Sequence, residues 1–94
     1  MRDSSDHHHR TLDIYVTPAC FGSDRARRLA DLVRAWSIPD LRVQLHDLAD
    51  PGVVRPEHVF AVPAYLLDGR LISLGTPDLD WLHRLLSSNH GRSP

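Results

Sequence analysis

Ninety-four residues suffice for one domain and are too few for two. With 41% hydrophobic residues, 24% charged residues and a net charge of -1, the composition is that of an ordinary globular domain and gives no general attraction to nucleic acid or to an anionic membrane. All 11 basic residues are arginine, which excludes Schiff-base and phosphate-loop lysine chemistry; the one cysteine excludes an internal disulfide and a multi-cysteine zinc or iron–sulfur site within one chain.

Residues 1–10 are polar, with histidine at 7, 8 and 9, and read as a disordered tail. They hold no apolar signal core, and no apolar run in the chain approaches the ~20 residues of a membrane span. A reducing, cytoplasmic location is therefore expected. Residues 11–88 form the predicted domain and 89–94 a flexible tail. Leu12 to Thr17 alternates and is rich in β formers, so it predicts a strand that Pro18 ends. Ser23 or Asp24 is expected to open a helix whose apolar face carries Ala26, Leu29, Ala30, Val33 and Trp36, with Arg25, Arg27, Arg28, Asp31 and Arg34 on the wet side. Ile38-Pro39-Asp40 stops it.

Leu41, Val43 and Leu45 alternate with Arg42, Gln44 and His46 in a second strand. Asp47 to Arg55, punctuated by Asp50-Pro51-Gly52, reads as a loop or short helical turn. Ala64 to Leu67 and Arg70 to Leu74 flank Asp68-Gly69, a strong two-residue hairpin signal because the primed turn needs positive φ. Thr76 is expected to cap a last helix, with Pro77 at its first position and Leu79, Leu82, Leu85 and Leu86 on its buried face.

The order strand, helix, strand, turn, hairpin, helix gives an α/β fold. Its four-stranded mixed sheet is flanked by helices, with a parallel, right-handed first crossover. Chemistry in such sheets sits beyond the carboxyl ends of the parallel strands. Cys20 lies just past the end of the first strand. If the strand after Pro63 runs antiparallel beside it, Cys20 and Val62-Pro63 meet at one sheet edge.

These residues resemble a known group. Thr17-Pro18-Ala19-Cys20-Phe21-Gly22-Ser23, opening a helix, is similar to the active-site segment of the thioredoxin and glutaredoxin superfamily. Ala61-Val62-Pro63-Ala64-Tyr65, with the hairpin and Gly75 after it, resembles that family's cis-proline strand. The resemblance spans about Leu12 to Leu86 and implies a thioredoxin-like fold with thiol–disulfide exchange. Ser23 stands where the usual motif has its second cysteine, as in monothiol glutaredoxins. Phe21-Gly22 reverses those proteins' Gly-Phe, and the lysine they place before the motif is missing. Tyr15-Val16, Thr17-Pro18 and Arg25-Ala26 also echo the KaiB-like clock domains, which have no redox role.

At a helix start, Cys20 would face unpaired N–H groups and the positive dipole end, both of which favour the thiolate. Ser23 would sit over the same turn and hydrogen-bond the thiolate or cap the helix. Cys20 and Ser23 are the expected catalytic pair. Phe21, Arg27, Val62 and Pro63 are the expected substrate contacts: a cis Val62-Pro63 bond would offer Val62 backbone groups to an extended peptide or glutathione, and Arg27 could hold a carboxylate. No metal site is expected in the domain, because His46, His58 and His83 match no ligand spacing; the run His7-His8-His9 could bind a divalent metal weakly, though a plain polar tail is the favoured reading. The expected partners are protein thiols and disulfides or glutathione as co-substrate, with no tightly bound cofactor, nucleic acid or membrane, and a monomer or weak dimer. Two other readings of the same residues are a redox sensor and a non-catalytic interaction module.

Overall fold

The computed structural model describes residues 10–18 and 21–87, without the side chains of Phe21 and Ser23. Of the tails expected at 1–10 and 89–94, residues 1–9 and 89–94 lie outside the described residues, while Arg10 belongs to a strand and not to the tail. The elements run β1 (Arg10–Val16), α1 (Phe21–Ala35), β2 (Leu41–Asp47), β3 (Ala64–Leu67), β4 (Arg70–Leu74) and α2 (Leu79–Ser87). They form a four-stranded sheet of order β2-β1-β3-β4. β1 is parallel to β2 and antiparallel to β3, and β3 is antiparallel to β4. This is the mixed sheet expected from the element order.

β1 starts at Arg10, earlier than the expected Leu12, because Arg10 has two anchors. Its N–H donates to the Asp40 carbonyl at 2.8 Å. Its guanidinium donates to the Leu86 carbonyl and so satisfies the last turn of α2, where a cation also suits the helix dipole. α1 likewise starts earlier than Ser23, at Phe21, which puts Asp24 inside its first turn. Its far end unwinds through Ser37 at φ 54°. The hairpin turns on Asp68 at φ 52° and Gly69 at φ 84°, the left-handed pair a primed turn requires. Asp68 and Thr11 lock this turn to β1 by two bonds of 2.8 Å, Asp68 N–H to the Thr11 carbonyl and Thr11 N–H to the Asp68 carboxylate.

Strand alternation sorts the sheet into two faces. On one, Leu12, Ile14, Val16 and Tyr65 pack under Ala26, Leu29, Ala30 and Val33 of α1 and Leu82 and Leu86 of α2, all buried. The other face carries Asp13, Tyr15, Gln44, His46, Ala64 and Leu66. Its buried cluster is small: Val59, Ala64 and Leu66, with Tyr15 and Leu71 against it. The β2–β3 connection crosses this face without forming a helix. The Asp50 carboxylate and carbonyl accept from Gly52 and Val53 N–H and fold the segment into turns instead.

Candidate active site

α1 begins at Phe21, so in sequence Cys20 immediately precedes its first residue. Cys20 itself and the side chains of Phe21 and Ser23 lie outside the described residues. Around them the frame is defined. β1 ends at Val16, Thr17 and Pro18 lead out of it, and Gly22 lies in the first turn of α1. Pro63 is buried at the start of β3, and the Val62-Pro63 peptide bond is cis. Val62 is half-buried and has an interaction of its own.

The Pro63 carbonyl accepts a 2.8 Å bond from the N–H of Gly75. Gly75 has φ 83°, and a Cβ built there would meet nothing within 4 Å. Glycine is therefore suited to this position by the left-handed backbone that ends β4, not by a tight approach. Gly22, Arg25, Pro63, Gly75 and Thr76 together line a cleft of about 460 Å³. The first turn of α1 and the Pro63 loop, distant in sequence, thus meet beyond the carboxyl end of β1.

Arg27 is not part of that lining. It is half-buried and pairs at 3.6 Å with Asp47 at the end of β2. The arginine on the cleft is Arg25, which sequence reading placed among solvated helix charges. A helix points positions two apart to different faces, and the docking of α1 beside the Pro63 loop and the β4–α2 junction turns Arg25 rather than Arg27 to the cleft. Thr76 was missed for a related reason. The cap of α2 is Asp78, whose carboxylate accepts from the Trp81 N–H at 3.0 Å, and the helix starts at Leu79 rather than at Pro77. A carboxylate suits the positive helix end and displaces the expected threonine cap. Thr76 is thereby left to line the cleft. Leu79, expected on the buried face of α2, is 41% exposed.

Beneath Thr76, Tyr65 is fully buried, with no hydrogen-bond partner of normal geometry for its hydroxyl. Burial raises its pKa, and the nearby Thr76 side chain counteracts this only in part. A second, shallower groove of about 220 Å³ continues from the cleft along Arg25, Arg28, Leu29, Leu32, Thr76 and Leu79.

The three described histidines are dispersed. His46 stacks on Tyr15 at 4.6 Å and bonds Asp13 at 2.7 Å on the far sheet face. His58 meets the Gly69 carbonyl at 3.1 Å, and His83 packs edge-on against Trp36. Among the described residues no cluster of histidine, cysteine or acidic side chains could hold a metal ion, and no helix is long and apolar enough to cross a membrane.

No protein-family model matches the sequence, and no curated protein does either. Solved structures do match. A point-mutant thioredoxin from Halobacterium salinarum superposes with a TM-score of 0.72 at 19% identity, over 96% of this chain and 82% of that one. The chain has the thioredoxin fold. Oxidized mitochondrial thioredoxin 3 from Saccharomyces cerevisiae has a TM-score of 0.62 at 22% identity, covering 86% of this chain and 79% of its own. A chain from a structure addressing the thiol-resolving mechanism of yeast mitochondrial 1-Cys peroxiredoxin through glutathione and thioredoxin systems gives 0.61 at 22%, with the same coverage. At these identities the likeness concerns the fold. Within the thioredoxin fold, the first turn of α1, the Pro63 loop and the β4–α2 junction border one cleft.

Proposed function

We propose that the protein carries out thiol–disulfide exchange through Cys20 as its single reacting thiol. The observation that carries this reading is the cleft shared by Gly22 and Pro63, at the sheet edge where α1 begins, one residue after Cys20 in the sequence. The thioredoxin fold and the redox setting of its structural neighbours support the same class of chemistry.

The helix start supplies unpaired N–H groups and a positive dipole end, and Arg25 adds positive charge, so a thiolate at position 20 is favoured. That thiolate attacks one sulfur of a substrate disulfide. The substrate S–S bond breaks, the other half leaves as a thiolate, and a mixed disulfide to Cys20 forms. Ser23 stands where the resolving cysteine would be, so the mixed disulfide is cleared by an external thiolate such as glutathione. That second attack restores the Cys20 thiolate and leaves the attacking thiol in a disulfide with the group it removed. The net reaction is an exchange: the external thiol takes the place of one half of the substrate disulfide and the other half is released as a thiol. A glutathione mixed disulfide and glutathione thus yield the free substrate thiol and glutathione disulfide, which suits a reducing compartment such as the cytoplasm.

The test is reduction of a glutathione mixed disulfide by the purified protein with glutathione as reductant. Cys20→Ser should abolish turnover while leaving the unfolding midpoint in urea nearly unchanged. Equal turnover by Cys20→Ser and wild type would leave the fold as an interaction module without thiol chemistry.

A further inference from the structure

The cleft beside Pro63 does not end at the thiol segment. It shares Arg25 and Thr76 with the groove that runs on between α1 and the start of α2. That groove is largely apolar and leaves Leu32 and Leu79 40% and 41% exposed. Two arginines one helical turn apart, Arg25 and Arg28, flank it. Neither has an acidic partner among the described residues, whereas Arg27 of the same helix is held by Asp47 and Arg34 by Asp31. The surface leading away from the thiol segment therefore combines an apolar trough with two arginines that no described carboxylate pairs with, Asp24 being next to Arg25 and Asp78 next to Leu79 in the sequence.

We propose that this groove seats an acidic stretch of a protein substrate: an extended segment with an apolar side chain against Leu32 and Leu79 and carboxylates on Arg25 and Arg28. The inference takes its chemistry from the thiol reading above, which would set the segment's cysteine beside Pro63; the binding itself depends only on the groove. Charge complementarity selects the occupant, since a basic segment would bring like charges against both guanidiniums and a purely apolar one would leave them unused.

The experiment uses the full chain and fluorescein-labelled peptides, made in both chain directions, with serine at the cysteine position followed by leucine and two glutamates or by leucine and two lysines. Fluorescence anisotropy should show the acidic peptide binding about five- to tenfold tighter, the scale of two exposed ion pairs, with the advantage shrinking as salt is raised. Arg25→Ala/Arg28→Ala should erase the preference. Arg34→Ala/Arg42→Ala, which removes the same charge elsewhere, should keep it. Equal binding of the two peptides overturns the proposal, as does a preference that survives Arg25→Ala/Arg28→Ala or is lost equally in the charge-matched control. Cysteine versions carrying a thionitrobenzoate mixed disulfide then separate the two readings. Silent release from these, with the serine-peptide preference intact, removes the thiol chemistry and leaves the groove assignment standing.

Discussion

The two faces of the sheet are built on opposite terms. One is covered by α1 and α2 over a continuous apolar core, with Leu12, Ile14, Val16, Leu82 and Leu86 fully buried. The other is covered by an irregular connection that adds one side chain, Val59, to the buried cluster there and leaves Phe60 69% and Val54 82% exposed. Its strand residues are correspondingly mixed: Asp13 and His46 bond each other, Tyr15 stacks on His46, and Leu66 is the large aliphatic buried there. The difference teaches that the helical face supplies most of the stability and fixes the cleft, since α1, the β4–α2 junction and Pro63 all meet around it. The polar face tolerates a wet cover because its polar side chains Asp13 and His46 bond each other.

Substitutions of matched chemistry on the two faces can break this comparison. Leu82→Ala on the helical face should cost about 3–4 kcal/mol in urea unfolding, through lost burial and the cavity left in a tightly packed core. Leu66→Ala on the other face should cost about 2 kcal/mol, because the thin cover can settle into the space. Equal costs would mean that the faces share the load. The alkaline limb of stability sharpens the same point. Tyr65 on the helical face and Tyr15 on the other both have pKa values raised from 10.0, chiefly by burial, with Asp13 adding to the rise at Tyr15. A raised folded pKa means that the unfolded chain loses its phenolic protons first, so stability holds below about pH 10 and declines as pH rises through the folded values. No lysine titrates in that window. Tyr65→Phe and Tyr15→Phe should each flatten the decline in pH-dependent unfolding.

Smaller effects follow at the surface. Asp78→Ala should cost about 1 kcal/mol by removing the cap of α2. Arg27→Ala should cost no more than about 0.5 kcal/mol, because its pair with Asp47 is partly exposed and screened. Both are read from shifts in urea midpoint.

Much of this was legible in the sequence where a local rule has one physical solution. Asp68-Gly69 announces its turn because few residues accept positive φ at both positions, and the spacing of Ala26, Leu29, Ala30 and Val33 fixes which side of α1 is buried. The meeting of the α1 start with Pro63 followed from strand order alone. What the sequence hid depends on competition or docking. Asp78 outcompetes Thr76 as a cap, Arg25 rather than Arg27 lines the cleft with Pro63 and Thr76, and the β2–β3 connection stays irregular. A one-dimensional pattern carries none of these, because each is settled by contacts between elements.

The central claim is that the chain delivers a reactive thiol to the cleft beside Pro63. With one cysteine, alkylation reports on that site alone. The rate of Cys20 modification by iodoacetamide, followed against pH in native and denatured protein, tests it most directly. The account predicts a native thiol that reacts readily and titrates below the free value of about 8.5, with that shift abolished by denaturation. A thiol that titrates at the free value when native, or that reacts only after unfolding, would contradict it.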